Sequence, residues 1–349
     1  MEITGPGGPR VGRRLHRAAS MADVARLAGV SAQTVSRVVN DRANVDPATR
    51  ERVLAAVDQL GYRANAAART LATGSSRTIG VIASTLSTHG AVLVLDGITE
   101  EAARHGYRIS LVPVHAPSLR DVSGVATALA GRDVDALVVC VASSVLREAS
   151  AGLPVDVPVV VTDGDGQDVF PAVDSDPRPG VRAAVEHLLG LGHRRIAHLA
   201  GPDDSATARR RTTVWAQVLR EHGLPVPAAP AGDWSAASGA ALGAALLAEH
   251  PATTAVVCAN DQMALGLLRA CADAGVRVPH DLSVTGFDDV EAAAYAVPRL
   301  STVRHDLVEV GRRAVRAVLQ RLDPGADVGP VGLVPSEFVV RESTAAPRG

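Results

Sequence analysis

The sequence predicts a small all-α helix-turn-helix headpiece plus an α/β body of two doubly wound parallel-sheet lobes. Three observations carry this. Residues 23–40 contain two short amphipathic helical patterns joined by Gly29-Val30-Ser31. From Thr78 onward, short apolar runs alternate with helical stretches in two successive series, the mark of parallel sheets covered on both faces. Charge is also divided along the chain. Residues 1–76 hold 11 Arg against 6 acids, and the remainder 24 Arg against 31 acids. A basic head on an acidic body fits a nucleic-acid module joined to a sensor of something else.

The headpiece spans residues 20–63. Ser20 and Asp23 have capping-box spacing for a first helix, in which Val24, Ala25 and Ala28 form the inward face. Gly29 supplies the positive-φ residue that ends it, and Ser31 caps the second helix. Val35, Val38 and Val39 face inward there, while Ala32, Gln33, Ser36, Arg37 and Asn40 point out. A helix that exposes Gln and Arg from its first turns, braced across a tight turn, suits a DNA major groove. Asp46-Pro47 opens a third helix, in which Val53, Leu54, Val57 and Leu60 recur at helical spacing and are expected to cover the first two helices, with Gly61 as its stop.

Flanking segments read differently. Residues 1–19 have the composition of a disordered tail, and Met21 is an alternative start of translation. Residues 64–77 are expected to form a hinge and linker: Asn65–Ala72 is too short for a stable helix by itself, and Thr73-Gly74-Ser75-Ser76 reads as a flexible joint.

The body, residues 78–349, is expected to bind ligand and to dimerise. Strand-like runs are Ile79–Ala83, Ile109–Val114, Ala136–Val141 and Val157–Val161 in the first series, with helices near Leu95–His105, Val122–Ala130 and Val145–Ala149. The second series runs through helix Val181–Leu191, strand Arg195–Ala200, helices Thr207–His222 and Gly239–Glu249, strand Ala255–Ala259, helix Gln262–Ala274 and strand Leu282–Gly286. Helix Leu307–Leu322 and the strand-like Phe338–Val340 complete the lobes. Two such lobes are the architecture of periplasmic sugar-binding proteins.

Ligands of doubly wound sheets bind outside the carboxyl ends of strands. The polar residues found there are Ser84, Asp163, Asn260 with Asp261, and Asp288. Carboxylates and amides so placed can bond the vicinal hydroxyls of a neutral sugar. Arg211 can fork to paired oxygens, and Trp234 offers a flat apolar face to a pyranose ring. Trp215, on an apolar helix position, reads as core.

Four motifs in fixed order resemble the lactose repressor (LacI/GalR) family of bacterial transcription regulators. They are Gln33-Thr34-Val35-Ser36-Arg37-Val38-Val39-Asn40, Gly232-Asp233-Trp234-Ser235-Ala236, Ala259-Asn260-Asp261-Gln262-Met263-Ala264-Leu265-Gly266 and Gly286-Phe287-Asp288-Asp289. They look closer to the lactose-responsive type member than to the purine-responsive ones. The resemblance covers Met21 to about Arg341. It implies a DNA face of Ser31, Ala32, Gln33, Thr34, Ser36, Arg37 and Asn40. Asn65 and the minor-groove wedge Leu71 would lie in a hinge helix that forms on DNA. An effector site of Ser84, Asp163, Arg211, Trp234, Asn260 and Asp288 is implied too, with Asp289 as a structural neighbour. Two departures stand out. Cys140 replaces a polar amide at the end of the third strand, and Ala32 replaces a large aromatic side chain that contacts bases.

The function expected is that of a homodimeric repressor on pseudo-palindromic double-stranded operator DNA, released by a small, galactoside-like sugar. A ligand that instead acts as co-repressor, or is not a sugar, stays open. Dimerisation through Val94, Leu95 and Ile98 is expected, without the heptads that tie two dimers together in the type member. No catalytic constellation, metal spacing or cofactor motif is recognisable: Asp163–Asp168 lacks the Gly and Glu of a calcium loop, and His193 with His198 has no third ligand. Cys140, Cys258 and Cys271 form no disulfide framework, and no signal peptide or membrane-length apolar run is present, so a cytoplasmic location is expected. A solute-binding protein for transport would share the lobes but has no use for residues 21–72.

Overall fold

The computed structural model describes residues 19–39, 44–62, 75–84, 86, 88–114, 118–131, 134–141, 145, 153, 155–162, 170–325, 329 and 332–348. Internal contacts gather into two compact units, Met1–Ser76 and Arg77–Gly349.

In the first unit, helices α1 (Met21–Ala28), α2 (Ala32–Val39) and α3 (Pro47–Leu60) form a small bundle. Their ends are set by local chemistry. Ser20 Oγ accepts from the Asp23 amide while the Asp23 carboxylate accepts from the Ser20 amide at 2.9 Å. Gly29 ends α1 at φ 67°, Asp46 caps α3 at the Thr49 amide (3.0 Å), and Gly61 ends α3 at φ 56°. The core consists of Val24, Ala25, Ala28, Val35, Val38, Val53, Ala56 and Tyr62, a small set in which each fully buried Val contributes about 1.5–3 kcal/mol.

One expectation is corrected here. Leu54 and Leu60 do not cover α1 and α2; they are 48% and 36% exposed, and the inward face of α3 is Val53 and Ala56. Ala25 and Ala28 bring α1 close, and a face of Val and Ala fits that spacing where leucines would overpack it. Val39 is half-buried.

In the second unit, one sheet has strands β1 (Thr78–Ala83), β2 (Arg108–Pro113), β3 (Ala136–Cys140) and β4 (Val159–Val161), ordered β2-β1-β3-β4 and all parallel. Helices α4 (His89–Arg104) and α5 (Leu119–Ala130) belong to this series. The other sheet holds β5 (Ser175–Asp176), β6 (Ile196–Leu199), β7 (Ala255–Cys258), β8 (Ser283–Phe287), β9 (Ser301–His305) and β10 (Val334–Val339). Its order is β5-β10-β9-β8-β7-β6. The accompanying helices are α6 (Arg178–Gly190), α7 (Ala206–Glu221), α8 (Ala236–Glu249), α9 (Asp261–Asp273), α10 (Glu291–Tyr295) and α11 (Leu307–Leu322).

The second sheet is mixed rather than wholly parallel. β6 to β9 run parallel, but β10 pairs antiparallel with β9, Ser336 opposite His305. The cause is the excursion of α11. Its apolar face of Val310, Ala314, Val315 and Val318 joins the core of the first sheet, against Ile79, Ile98, Val138 and Val160. The chain then returns as β10 in the opposite sense. β5, β9 and α10 were not anticipated: β5 has two residues, α10 has five, and the Ser301–His305 strand is polar at every position but Val303. Residues 146–149 of the expected helix after β3, and the expected tail and hinge apart from Ala19 and residues 75–77, lie outside the described residues. Among the described residues, no helix is long and apolar enough to cross a membrane.

Candidate functional site

The DNA-facing candidate is the outer side of α2. Ser31 Oγ accepts from the Thr34 amide at 3.1 Å and lies 2.9 Å from Thr34 Oγ1, which fixes the first turn. Val35 and Val38 are buried, so helical periodicity turns Ser31, Ala32, Gln33 and Arg37 outward; all four are exposed, with Thr34 and Ser36 half-buried beside them. This surface offers amide and guanidinium donors, and a small gap at Ala32. Asn40, Asn65 and Leu71 lie outside the described residues.

The second candidate is a cleft of about 670 Å³ within the Arg77–Gly349 unit, in the range of about 300–1,000 Å³ usual for small-molecule sites. It opens at the carboxyl ends of β1, β3, β7, β8 and β9, through Ser84, Cys140, Asn260, Asp288 and His305. One wall is apolar, with Val81, Val94, Leu95, Ile98, Leu307 and Val310; the facing wall carries Arg211, Trp234, Asn260, Asp288 and His305.

Arg211 organises the polar wall. It projects from α7 and is 5% exposed, a placement that strands a charge unless it is well held. Its Cζ lies 3.5 Å from the centre of the Phe287 ring and 5.4 Å from that of Trp234. Nη1 donates to the Ala259 carbonyl at 2.5 Å, and Nη2 lies 3.7 Å from Asp288 Oδ1. Asp288 takes φ 110°, unusual for a residue with a side chain and a cost of about 1–3 kcal/mol. Its amide is anchored by donation to the Val303 carbonyl at 2.8 Å. Its Oδ1 is 3.2 Å from His305 Nε2, and His305 Nδ1 is 2.7 Å from Ser175 Oγ.

Trp234 rests its indole on Gly201, where a Cβ would clash with the ring. Asn260 is partly committed to structure: Oδ1 caps α9 at the Met263 amide (2.9 Å), and Nδ2 donates to the Trp234 carbonyl at 3.0 Å. That leaves one amide hydrogen for a ligand. Ser84 lines the cleft, its amide donating to the Cys140 carbonyl at 3.1 Å.

Three carboxylates at the end of β8 have separate fates. Asp289 pairs with Arg304 at 2.6 Å and Arg341 at 2.5 Å; burial pushes its pKa up, and the two guanidiniums outweigh that and hold it low. Asp261 is fully buried, accepting from Thr302 Oγ1 (2.5 Å) and the Val290 amide (2.9 Å), and burial pushes it up to about 7. Asp288 alone of the three lines the cleft. On the opposite side, burial pushes the Cys140 thiol up to about 11, so it meets a ligand as a neutral group.

The structure therefore brings Ser84, Arg211, Trp234, Asn260 and Asp288 to one cleft, while Asp163 lies outside the described residues. Sequence reasoning missed His305, Ser175 and Asp174, which also line it. His305 had a readable signal, ending a run directly before the Asp306 helix cap. Asp174 and Ser175 had none, since two-residue β5 leaves no periodic pattern. Trp215, 1% exposed, is core.

A helix-turn-helix headpiece with an exposed Gln/Arg face, joined to a two-sheet body with a cleft at its strand ends, is the make-up of a DNA-binding regulator. Residues 20–65 match the bacterial regulatory proteins of the lacI family, and residues 185–344 match a periplasmic binding protein-like domain. The chain is 37% identical over 337 residues to the lactose operon repressor of Escherichia coli K12, covering 93% of this chain and 90% of that one. It is 31% identical over 334 residues to the transcriptional repressor PurR of Haemophilus influenzae, covering 93% and 98%. A crystal structure of the lac repressor dimer bound to operator and the anti-inducer ONPF superposes with a TM-score of 0.87 at 35% identity, covering 95% of this chain and all of that one. The transcriptional regulator CelR–cellobiose complex gives 0.68 at 29% identity, covering 93% and 99%. The chain belongs to the lacI family of DNA-binding transcriptional repressors.

Proposed function

We propose that this repressor is released from its operator by a small neutral sugar, galactoside-like in its hydroxyl pattern, bound in the cleft of the body. The observation that carries this is the Arg211–Asp288 pair beside the Trp234 indole. A fixed guanidinium donor and a carboxylate acceptor suit adjacent hydroxyls, and the ring suits the C–H face of a pyranose. Opposite charges side by side favour a neutral ligand over an anion or a cation. Among the relatives, one solved complex contains cellobiose and another an anti-inducer together with operator, which supports ligand control of the same kind here.

The headpiece reads bases with Gln33 and Arg37 while Ser31, Thr34, Ser36 and Asn40 set register, Asn65 and Leu71 act at the operator centre, and two chains meet a two-fold operator. Sugar and DNA are then linked ligands, with a coupling of about 1–3 kcal/mol typical of such regulators. The test is operator affinity of the full chain, on DNA selected from a random pool, with and without lactose, methyl galactoside, cellobiose and hypoxanthine. Release by a sugar, lost in Asp288→Asn, is expected. Tighter operator binding with sugar would make the ligand a co-repressor, and a response to hypoxanthine alone would overturn the sugar reading.

A further inference from the structure

The sugar reading leaves one buried polar group of the cleft without a task. His305 ends β9, its side chain 3% exposed, while that of Asp288 in front of it is 16% exposed. The ring joins three strands: Nδ1 to Ser175 Oγ of β5 at 2.7 Å, Nε2 to Asp288 Oδ1 beyond β8 at 3.2 Å, and its edge to Phe287 with centroids 4.8 Å apart. A ligand reaching this wall meets the carboxylate, with the imidazole behind it.

We propose that His305 is the positioning residue of the effector site, aiming the Asp288 carboxylate at the ligand and making effector affinity fall when the imidazole takes up a proton. This rests on the reading of Asp288 as a ligand contact. Arg211 Nη2, at 3.7 Å, is beyond hydrogen-bond reach of that oxygen. The bond from His305 is what orients it. With Nε2 donating, Nδ1 must accept from the Ser175 hydroxyl, which defines a neutral tautomer.

A protonated ring would donate from both nitrogens, and the Ser175 hydroxyl would have to turn from donor to acceptor. The charged groups facing it are Asp288 and Arg211 on one side, and Asp174 with Arg210 (2.6 Å apart) on the other. Burial pushes Asp174 up against the pull of Arg210, so the two carboxylates at most balance the two guanidiniums. An imidazolium adds an uncompensated charge, and it draws Asp288 into an ion pair that competes with ligand hydroxyls. A bound ligand excludes water and sharpens both penalties, so ligand and proton oppose one another.

The test is calorimetric titration of the full chain at about pH 6 and about pH 8, across the range where histidine can change charge. The probe is whichever of lactose, methyl galactoside or cellobiose the wild type binds. Wild type is expected to bind several-fold more weakly at the lower pH. His305→Gln, whose amide can donate to Asp288 and whose carbonyl can accept from Ser175, should stay within about threefold of wild type at the higher pH and lose the pH difference. His305→Phe should bind about tenfold more weakly at both values, the loss of one hydrogen bond to a charged group. His89, which also lines the cleft, is intact in both variants, so the pH response removed by Gln belongs to position 305. Wild-type affinity in His305→Phe, or an unchanged pH response in His305→Gln, overturns the proposal and leaves the site reading standing. Undiminished binding by Asp288→Asn, or no binding of any of the three sugars, overturns both.

Discussion

Gly97 and Gly311 face one another where the helices His89–Arg104 and Leu307–Leu322 cross. A Cβ on Gly97 would run into the Val308 carbonyl oxygen, and one on Gly311 into that of Val94. The contact is flanked by Arg312–Glu100 at 2.7 Å and Arg316–Glu101 at 2.8 Å. Glu101 is pushed up by burial but held low overall by Arg316 and Arg104. Because Leu307 and Val310 at the start of one helix and Val94 and Leu95 in the other line the cleft, this crossing sets the position of the apolar wall. Gly97→Ala should destabilise the chain by about 1–3 kcal/mol or more through overpacking. Gly124→Ala, in a helix with nothing near its Cβ position, should be neutral or stabilising by up to about 1 kcal/mol. Thermal unfolding of the two variants decides it; equal midpoints would show that the crossing relaxes freely.

Asp261 predicts an unusual pH dependence. Its folded pKa is raised to about 7 by burial, so the native state holds a proton that the unfolded chain releases near the ordinary carboxylate value. The contribution is complete below about pH 4 and is lost as pH rises through 7, on the order of a few kcal/mol in all. Asp261→Asn mimics the protonated form: its carbonyl accepts from the Val290 amide and its NH2 donates to Thr302. The variant should match wild type near pH 4 and exceed it in denaturant midpoint near pH 8. A difference between variant and wild type that is the same at both values would show that Asp261 stays ionised.

What the sequence made legible follows its periodicity. Helix Leu307–Leu322 was readable to the residue because its buried residues, from Leu307 and Val310 to Val318 and Leu319, recur at helical spacing, and the caps at Ser20, Ser31, Gly29 and Asp46 were readable because capping is local chemistry. The strand order was not, since the return of β10 beside β9 depends on where α11 packs. The inward face of α3 was misjudged for a related reason: Leu54 and Val53 both satisfy a helical repeat, and the close approach of Ala25 and Ala28 chooses between them. In the cleft, strand-end residues such as Ser84 and Asp288 were visible from the rule that ligands bind there. His305, Ser175 and Asp174 lie on the mixed edge of the second sheet that topology alone brings to the site.

Homodimerisation should use the exposed side of helix His89–Arg104, with one change from the sequence expectation. Ile98 is fully buried in the core of its own chain and has no surface to offer. Val92 is 51% exposed, with Leu93, Val94 and Leu95 half-buried alongside. Val92→Glu should shift the chain from dimer toward monomer in sedimentation velocity at micromolar concentration, and lower operator affinity with it, because two half-sites are then met by separate molecules. An unchanged dimer would place the interface elsewhere, for instance at Tyr295 and Val297, which are 78% and 95% exposed.

Arg37 should carry base readout. It projects from the second turn of the helix Ala32–Val39, exposed, while the nearby Val35 and Val38 are buried, so the packing of its neighbours aims the guanidinium outward. A guanidinium so placed can donate two bonds to the O6 and N7 of a guanine edge, a pair of acceptors that no other base presents in the major groove. Arg37→Ala should cost about 1–3 kcal/mol on the selected operator and relax preference at one base pair per half-site, while binding to random DNA falls far less. Arg37→Lys should recover phosphate attraction but not the paired bonds, so its salt dependence should approach that of wild type while its specificity does not. Competition binding against operator variants, each with one substituted base pair, reads both effects. If Arg37→Ala weakens operator and random DNA equally, the side chain contacts phosphate, and the discriminating role passes to Gln33.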